Sequence, residues 1–397
     1  MDQTDKSGNA RTSEPSLPLL FYGDSYRFPD IYHTTRFLAP DAFIAFEQGD
    51  ELVVLTNSLE QGRAEKQSRA TTIHNVDEFG FQELVSGGLS RADAEVTVIE
   101  RFLARRGVGR VRVAPYFPLG TADRLRAAGL ELLVATDLEA RRRAKRPDEI
   151  VALAAIQGAT EAAWADGVDA IGRSTEGRDG ILVLGGEVFT AERLRAIVEG
   201  ALLTRGAVAE STICAPGVQA ADPHLIGSGP LHAREAIVMD IYPQDKSTRY
   251  CADMTRTVSK GEPPDAIQRM YEVVMRAQDA GIAALRPGVT GRAVHELVED
   301  IIFAAGYDTL RPGQKHDSAD PVTRGFIHGT GHGVGLEIHE APSIGRAGSD
   351  PLAPGDVVTV EPGIYDPAIG GVRLEDMLLI TAEGSRNFTR APRRLVI

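Results

Sequence analysis

FIHGTGHGVGLEIHE, residues 326–340, holds three of the nine histidines of the chain within fifteen positions. His328 and His332 alternate with Gly329, Gly331, Gly333 and Gly335, and missing side chains let a backbone turn sharply and approach whatever the imidazoles hold. The following LEIHE reads as a strand, whose alternation puts Leu336 and Ile338 on one face and turns His339 back toward the same site. A phosphate loop is excluded, because no Lys-Ser or Lys-Thr follows the last glycine and an apolar segment stands where a helix is required. A helical zinc-protease motif is excluded too, since Ala341, Pro342 and Ser343 follow His339-Glu340. What remains is a metal or acid/base site completed by residues from elsewhere, and carboxylates in apolar strands are the place to look.

Two such pairs flank the stretch. AIVMDIY, residues 236–242, and YCADMTRTV, residues 250–258, read as strands that each carry one aspartate, and a turn through residues 243–248 would oppose Asp240 and Asp253. VVTVEPGIY and GGVRLEDMLLI repeat the arrangement around Asp366, Pro367, Gly370 and Gly371, opposing Glu361 to Glu375. Arg373, two residues before Glu375, shares its strand face and can anchor an anion. Buried charge needs compensation, and opposed carboxylates are stabilised by a shared proton or by cations. Four carboxylates with one imidazole carry a charge that two divalent ions neutralise. Oxygen-rich ligation with a single nitrogen points to Mn²⁺, Co²⁺ or Fe²⁺, with Zn²⁺ still open.

The 397-residue length suits two domains, and 43% hydrophobic with 25% charged residues is an ordinary globular balance. A net charge of -13 argues against nucleic acid and anionic membrane as partners. Cys214 and Cys251 are too few for a disulfide framework, which with a polar amino-terminal stretch gives the expectation of a soluble cytoplasmic protein with a loose tail over residues 1–17. Residues 18–140 alternate short apolar runs (FIAFE, ELVVLT, VRVAP, LELLVA) with helical patterns, the sign of an α/β domain. The basic run at residues 139–147 reads as a solvated linker or interface rim, so the expected division is 1–145 and 146–397. Beyond it, Pro147 opens a helix. Further helices are expected over 191–204, 265–285 and 291–305, the last with Thr290 as N-cap and Gly306 at its end. His33 and His74 lack carboxylate company here, and His232, His295 and His316 carry no supporting pattern.

Taken together, VMDIYP, CADMTRT, GTGHGVG, TVEPGIY and GVRLED resemble the metallopeptidases of creatinase fold, which include aminopeptidase P, prolidase and methionine aminopeptidase. The resemblance spans nearly the whole chain. It implies a smaller α/β amino-terminal domain followed by a pita-bread catalytic domain, and five ligands, Asp240, Asp253, His332, Glu361 and Glu375, for two divalent cations, Mn²⁺ first among them. It also implies catalytic roles for Glu361, His339, His224, His328 and Arg373, and a homodimer. The implied activity is hydrolysis of the Xaa-Pro bond of short proline-containing peptides, as aminopeptidase or dipeptidase. A metal-dependent hydrolase or lyase of a small non-peptide compound, and a binding module without catalysis, stand as alternatives. One departure is visible: Asp240 and Asp253 are farther apart than in the common family pattern, and Tyr242 occupies a position where that pattern has glycine.

Overall fold

In the computed structural model, residues 17–311 and 324–397 are described; the expected loose tail and His316 fall outside them, save for Leu17. The chain divides into two compact units, residues 1–139 and 140–397.

Unit one is a six-stranded sheet in the order β4-β3-β2-β1-β5-β6, with β1 at Leu19–Gly23, β2 at Phe43–Gln48, β3 at Glu51–Thr56, β4 at Thr72–Asn75, β5 at Arg110–Val113 and β6 at Glu131–Val134. β2 runs antiparallel to both β1 and β3, while β4 joins β3, β5 joins β1 and β6 joins β5 in parallel. Period-two alternation divides the apolar residues between two faces. Leu20, Ile44, Phe46, Val53 and Leu55 meet Ile99, Phe102 and Leu103 of the helix Arg91–Arg105, whereas Leu19, Phe21, Phe43, Ala45 and Val54 cluster with Ile31 and Ala64. The four apolar runs named from the sequence in this unit are all strands. His33 is buried, and His74 is not without carboxylate company, since its Nδ1 lies 2.8 Å from Glu78.

Unit two pairs helices with sheets twice, the pita-bread arrangement. In the first half the helices Pro147–Arg173 and Ala191–Thr204 accompany an antiparallel sheet of β7 (Ile213–Pro216), β8 (Ile237–Ile241) and β9 (Met254–Val258), in that order. In the second, Asp265–Ala284 and Gly291–Ala304 accompany a five-stranded sheet ordered β11-β10-β12-β15-β16. These strands are β10 (Gly331–Gly333), β11 (Glu340–Ile344), β12 (Val357–Val360), β15 (Asp376–Ile380) and β16 (Ser385–Asn387). The remaining pair, β13 (Gly363–Asp366) and β14 (Gly370–Arg373), forms a hairpin inserted between β12 and β15. Val294, Ile344, Val358, Val360, Leu378 and Ile380 form one core of this half, and Val274, Val298, Ile302, Ile364 and Val372 another. Thr290 caps its helix as expected, its side chain accepting from the Ala293 N–H.

Two expectations need correction. The basic run is no solvated linker: Arg142 and Lys145 are buried, and Arg143 makes a bidentate contact to Asp356 at 3.0 and 2.7 Å. Its cations belong with carboxylates some two hundred residues on, which a local reading of charge cannot see. LEIHE, in turn, is a bend, and the strand begins at Glu340. The Cys251 N–H donates to the Gly335 carbonyl at 2.8 Å, and Gln244 Nε2 donates to the Leu336 carbonyl at 3.3 Å, so these backbone groups are not committed to a ladder.

Candidate metal centre

The hairpin strands locate each acid. β8 and β9 register Asp240 against Thr255, with Ile241 against Met254, so Asp253 lies one diagonal step from Asp240 on the same face instead of directly opposite. The offset arises because residues 242–253 are more than a turn: Gln244–Asp245 forms its own two-residue strand against Ala207–Val208, and Arg249 adopts a left-handed conformation at φ 63°. In the other pair the register runs unbroken across the inserted hairpin. Val360 faces Asp376 and Gly363 faces Arg373, which leaves Glu361 across from Glu375.

At that point the ladder opens. The Glu361 N–H donates to Thr330 at 2.7 Å and the Glu375 N–H to Thr255 at 3.0 Å, so one chain turns toward the histidine loop and the other toward β9. Arg256, fully buried, holds this junction by donating from Nη1 to the Glu375 carbonyl at 2.7 Å and from Nη2 to Asp376 at 2.8 Å. Gly331 permits the closest approach of the histidine loop, because a Cβ there would collide with the Thr359 carbonyl.

These elements enclose a cavity of about 710 Å³. Asp240, Asp253, His332, Glu361 and Glu375 all line it, as do His224, His328, His339 and Arg373. Every site residue named from the sequence therefore reaches one space. His224 is exposed at its rim; His339 is also exposed and packs edge-on against His332 with ring centroids 4.3 Å apart. His232 stands elsewhere, 3.7 Å from Glu235, and the buried His295 hydrogen-bonds Thr330 at 3.0 Å behind the histidine loop.

A connected set of hydrogen bonds supports the floor. Arg373 donates from Nη2 to Asp240 at 2.7 Å, from Nη1 to the Tyr365 hydroxyl at 3.0 Å and from Nε to Thr255 Oγ1 at 3.2 Å. Thr255 Oγ1 donates in turn to Glu375 Oε2 at 2.9 Å, and the Tyr365 hydroxyl lies 2.8 Å from His328 Nε2. Burial lowers the His328 pKa to about 3, with the Arg373 charge adding to it, so the ring is neutral and accepts the Tyr365 proton. Tyr365 and Thr255 escaped the sequence reading. Strand alternation was the available signal, since Tyr365 shares a face with Glu361 and Thr255 with Asp253.

The acids themselves are out of balance with their surroundings. Burial first, and neighbouring carboxylates second, push Glu375 up to about 8 and hold Asp253 and Glu361 well above the usual carboxylate range. Burial lowers His332 to about 4. Its Nδ1 faces the Gly333 carbonyl at 3.1 Å, which fixes the proton there and leaves Nε2 bare, 3.5 Å from Asp253 Oδ2 and 3.4 Å from Glu361 Oε1. A lone pair facing two carboxylate oxygens is repulsive unless a proton or cation lies between. Asp240 Oδ1, Asp253 Oδ1 and Glu375 Oε1 are also buried without a hydrogen-bond partner among the described residues. Ligand atoms of Asp253, His332 and Glu375 all lie within 4.8 Å of one another. Orphaned acceptors converging with a bare imidazole nitrogen are the donor set that a divalent cation requires, so the residues fit the metal implied by the resemblance.

Comparison with known proteins agrees with this chemistry. The chain is 40% identical over 186 residues to the uncharacterized peptidase YqhT of Bacillus subtilis, covering 47% of this chain and 48% of that one. It is 37% identical over 186 residues to the Xaa-Pro dipeptidase of Pyrococcus furiosus, covering 47% and 49% respectively. These alignments span about half the length of each relative. Among solved structures, the prolidase of Pyrococcus horikoshii matches with a TM-score of 0.73 at 26% identity, covering 95% of both chains. The X-Pro aminopeptidase of Thermotoga maritima shares the fold with a TM-score of 0.77 at 22% identity, over 96% of this chain and 97% of that one. Residues 154–382, more than half the chain and containing every acid and histidine of the centre, match the model of metallopeptidase family M24, and the chain belongs to that family.

Proposed function

We propose that the chain is a dinuclear-metal-dependent exopeptidase that hydrolyses the Xaa-Pro bond of short peptides, with Asp240, Asp253, His332, Glu361 and Glu375 holding two divalent cations. The observation that carries this reading is the bare Nε2 of His332 facing Asp253 and Glu361 in a cavity with three unpartnered carboxylate oxygens. Four ionised carboxylates with the Arg373 guanidinium beside them sum to -3 (4 negative, 1 positive), which one divalent ion leaves short and two balance to within a unit. Mn²⁺ is the preferred occupant, with Co²⁺, Fe²⁺ and Zn²⁺ behind it. Bound cations supply Lewis acidity, lowering the pKa of a water and polarising the scissile carbonyl.

The chain's own groups do the rest. Glu361 takes the proton from the attacking water, and His339 and His224 donate hydrogen bonds to the oxygen on which charge develops. Arg373 orients Asp240, while the neutral His328 keeps the Tyr365 hydroxyl turned away from the arginine it accepts from. A tertiary Xaa-Pro amide has no N–H for a protease to bind, and a centre that grips the free amino end and the carbonyl does not need one. The Pyrococcus furiosus relative, an Xaa-Pro dipeptidase, supports the proline-directed branch. A smaller amino-terminal domain precedes the catalytic one, in a cytoplasmic homodimer. Two free buried cysteines suit a reducing compartment, and among the described residues no helix is long and apolar enough to cross a membrane.

One observation favours a second reading, a hydrolase or lyase of a small non-peptide compound. Tyr242 stands in the cavity wall, hydrogen-bonded to Ser211, where the family pattern has glycine, and so takes up space beside Asp240. Turnover of Ala-Pro, Ala-Ala and Ala-Pro-Gly with Mn²⁺ separates the two. Cleavage of Ala-Pro alone makes the enzyme a dipeptidase, and cleavage of both proline peptides an aminopeptidase. Faster cleavage of Ala-Ala than of either, or no cleavage of the three, rejects the proline-directed reading and promotes the second.

A further inference from the structure

We propose that Arg142 and Lys145 are positioning residues for His339, acting through the carboxylates of Glu337 and Glu340. This rests on the reading of His339 as a group that contacts substrate. Residues 334–339 form an irregular loop between two fixed ends: β10, which carries His332, and Glu340, whose backbone pairs with Gly333. Within the loop only one backbone bond is internal among the described residues, from the Gly335 N–H to the Glu337 carbonyl at 3.1 Å. The loop's own ladder is therefore too sparse to fix a side chain at its last position.

Ion pairs supply what the ladder lacks. Lys145 Nζ donates to Glu340 Oε1 at 2.6 Å and Arg142 Nη1 to Glu340 Oε2 at 3.3 Å, so both oxygens of a buried carboxylate are held. Arg142 reaches Glu337 with its other terminal nitrogen and thus clamps the loop at the two positions that immediately flank Ile338 and His339. The cations are themselves anchored, since the Lys145 N–H donates to the Gly355 carbonyl at 3.1 Å and the intervening Arg143 grips Asp356. Gly335 folds against this clamp closely enough that a Cβ would collide with the Glu340 carboxylate.

Stability alone does not account for such a cluster. Taking two cations and a carboxylate out of water costs nearly what their attraction returns, and apolar replacements of similar volume are often as stable. What an ion cluster gives that an apolar contact does not is one defined geometry. Here that geometry ends one residue away from the ring stacked at 4.3 Å on His332.

A double-mutant cycle on Ala-Pro turnover in the Mn²⁺-loaded protein, with crystal structures of the variants, tests the assignment. Lys145→Met is expected to lower kcat by about 10²-fold, the cost of misplacing a catalytic group by roughly 1 Å, with bound metal and KM little changed. It should cost no more than about twofold further on a His339→Ala background, because coupled residues are not additive, and Lys145→Arg should restore most of the loss. In the Lys145→Met structure the His339 ring should have left its edge-on contact with His332. Multiplicative losses, or a ring that stays in place, overturn the proposal. If Lys145→Met does not fold, Glu337→Ala, at a half-exposed position, removes one Arg142 contact and is read the same two ways. If the wild-type protein cleaves no peptide, the peptidase reading fails, while the ring position still decides this one.

Discussion

His332 Nε2 and Glu361 Oε1 face each other at 3.4 Å with no proton assigned between them, since the imidazole proton sits on Nδ1 and is given to Gly333. A contact of this kind is a statement about linkage as well as about ligands. Without cations the cluster must recruit protons to remain buried, and cations and protons then compete for the same oxygens.

Metal binding should therefore release protons. With Glu375 pushed up to about 8, and Asp253 and Glu361 also well above the usual range, the cation-free protein holds protons on the cluster at pH 7. Affinity is expected to rise as pH climbs from 7 through 8, with at least about one proton released per chain at pH 7. Titration calorimetry in buffers of different ionisation enthalpy measures this, and an enthalpy independent of buffer would refute it. Elemental analysis at saturation should give two ions per chain, and chelation should abolish turnover.

Replacing Glu361 by Gln keeps the shape of the side chain while removing a charge and the acceptor of the water's proton. Loss of a general base typically costs about 10²–10⁴ in rate. Steady-state turnover should fall within that span, and a variant working at near-normal speed would reassign the base.

The prediction for His339→Ala is a split result. Donors aimed at developing charge are worth about 10² or more in kcat, so turnover should drop by that factor while both metal equivalents remain. If one equivalent disappears, the ring is a ligand and the set of five is wrong.

His295 offers a test of stability. Burial, with a smaller contribution from Arg346, lowers its pKa to about 4, so the folded protein holds it neutral where an unfolded chain, near 6.5, takes up a proton. Its contribution is present above pH 6.5 and is lost as the pH falls from 6.5 toward 4. His295→Gln can keep a hydrogen bond to Thr330 without titrating, and should lose less stability over that window than the wild type. Urea midpoints at pH 7, 6, 5 and 4 compare the two proteins; parallel curves would show that His295 is not the group responsible.

Much of this was legible from residue order because strands expose their logic locally. Glu361 and Glu375 were paired correctly by one tight turn and a two-residue period, and the helix after Thr290 announced itself by its cap. The failures have a common cause in partners distant along the chain. Apolar alternation in LEIHE imitates a strand, but its Leu336 carbonyl is claimed by the side chains of Gln244 and Cys251. The basic run looks solvated until Glu337, Glu340 and Asp356 fold onto it, and Asp240 was set opposite Asp253 because nothing local reveals that Gln244 and Asp245 pair with Val208 and Ala207.

The unbroken register through β12, β13, β14 and β15 constrains how such a sequence can drift. Inserting or deleting a single residue in any of the four strands would turn one of Glu361 and Glu375 to the opposite face, so a lineage can change length here only at the tip, around Pro367–Ile369, or by matched changes on both sides. Length variants in a library, and indels tolerated among descendants of this chain, should concentrate at that tip and leave the arms untouched.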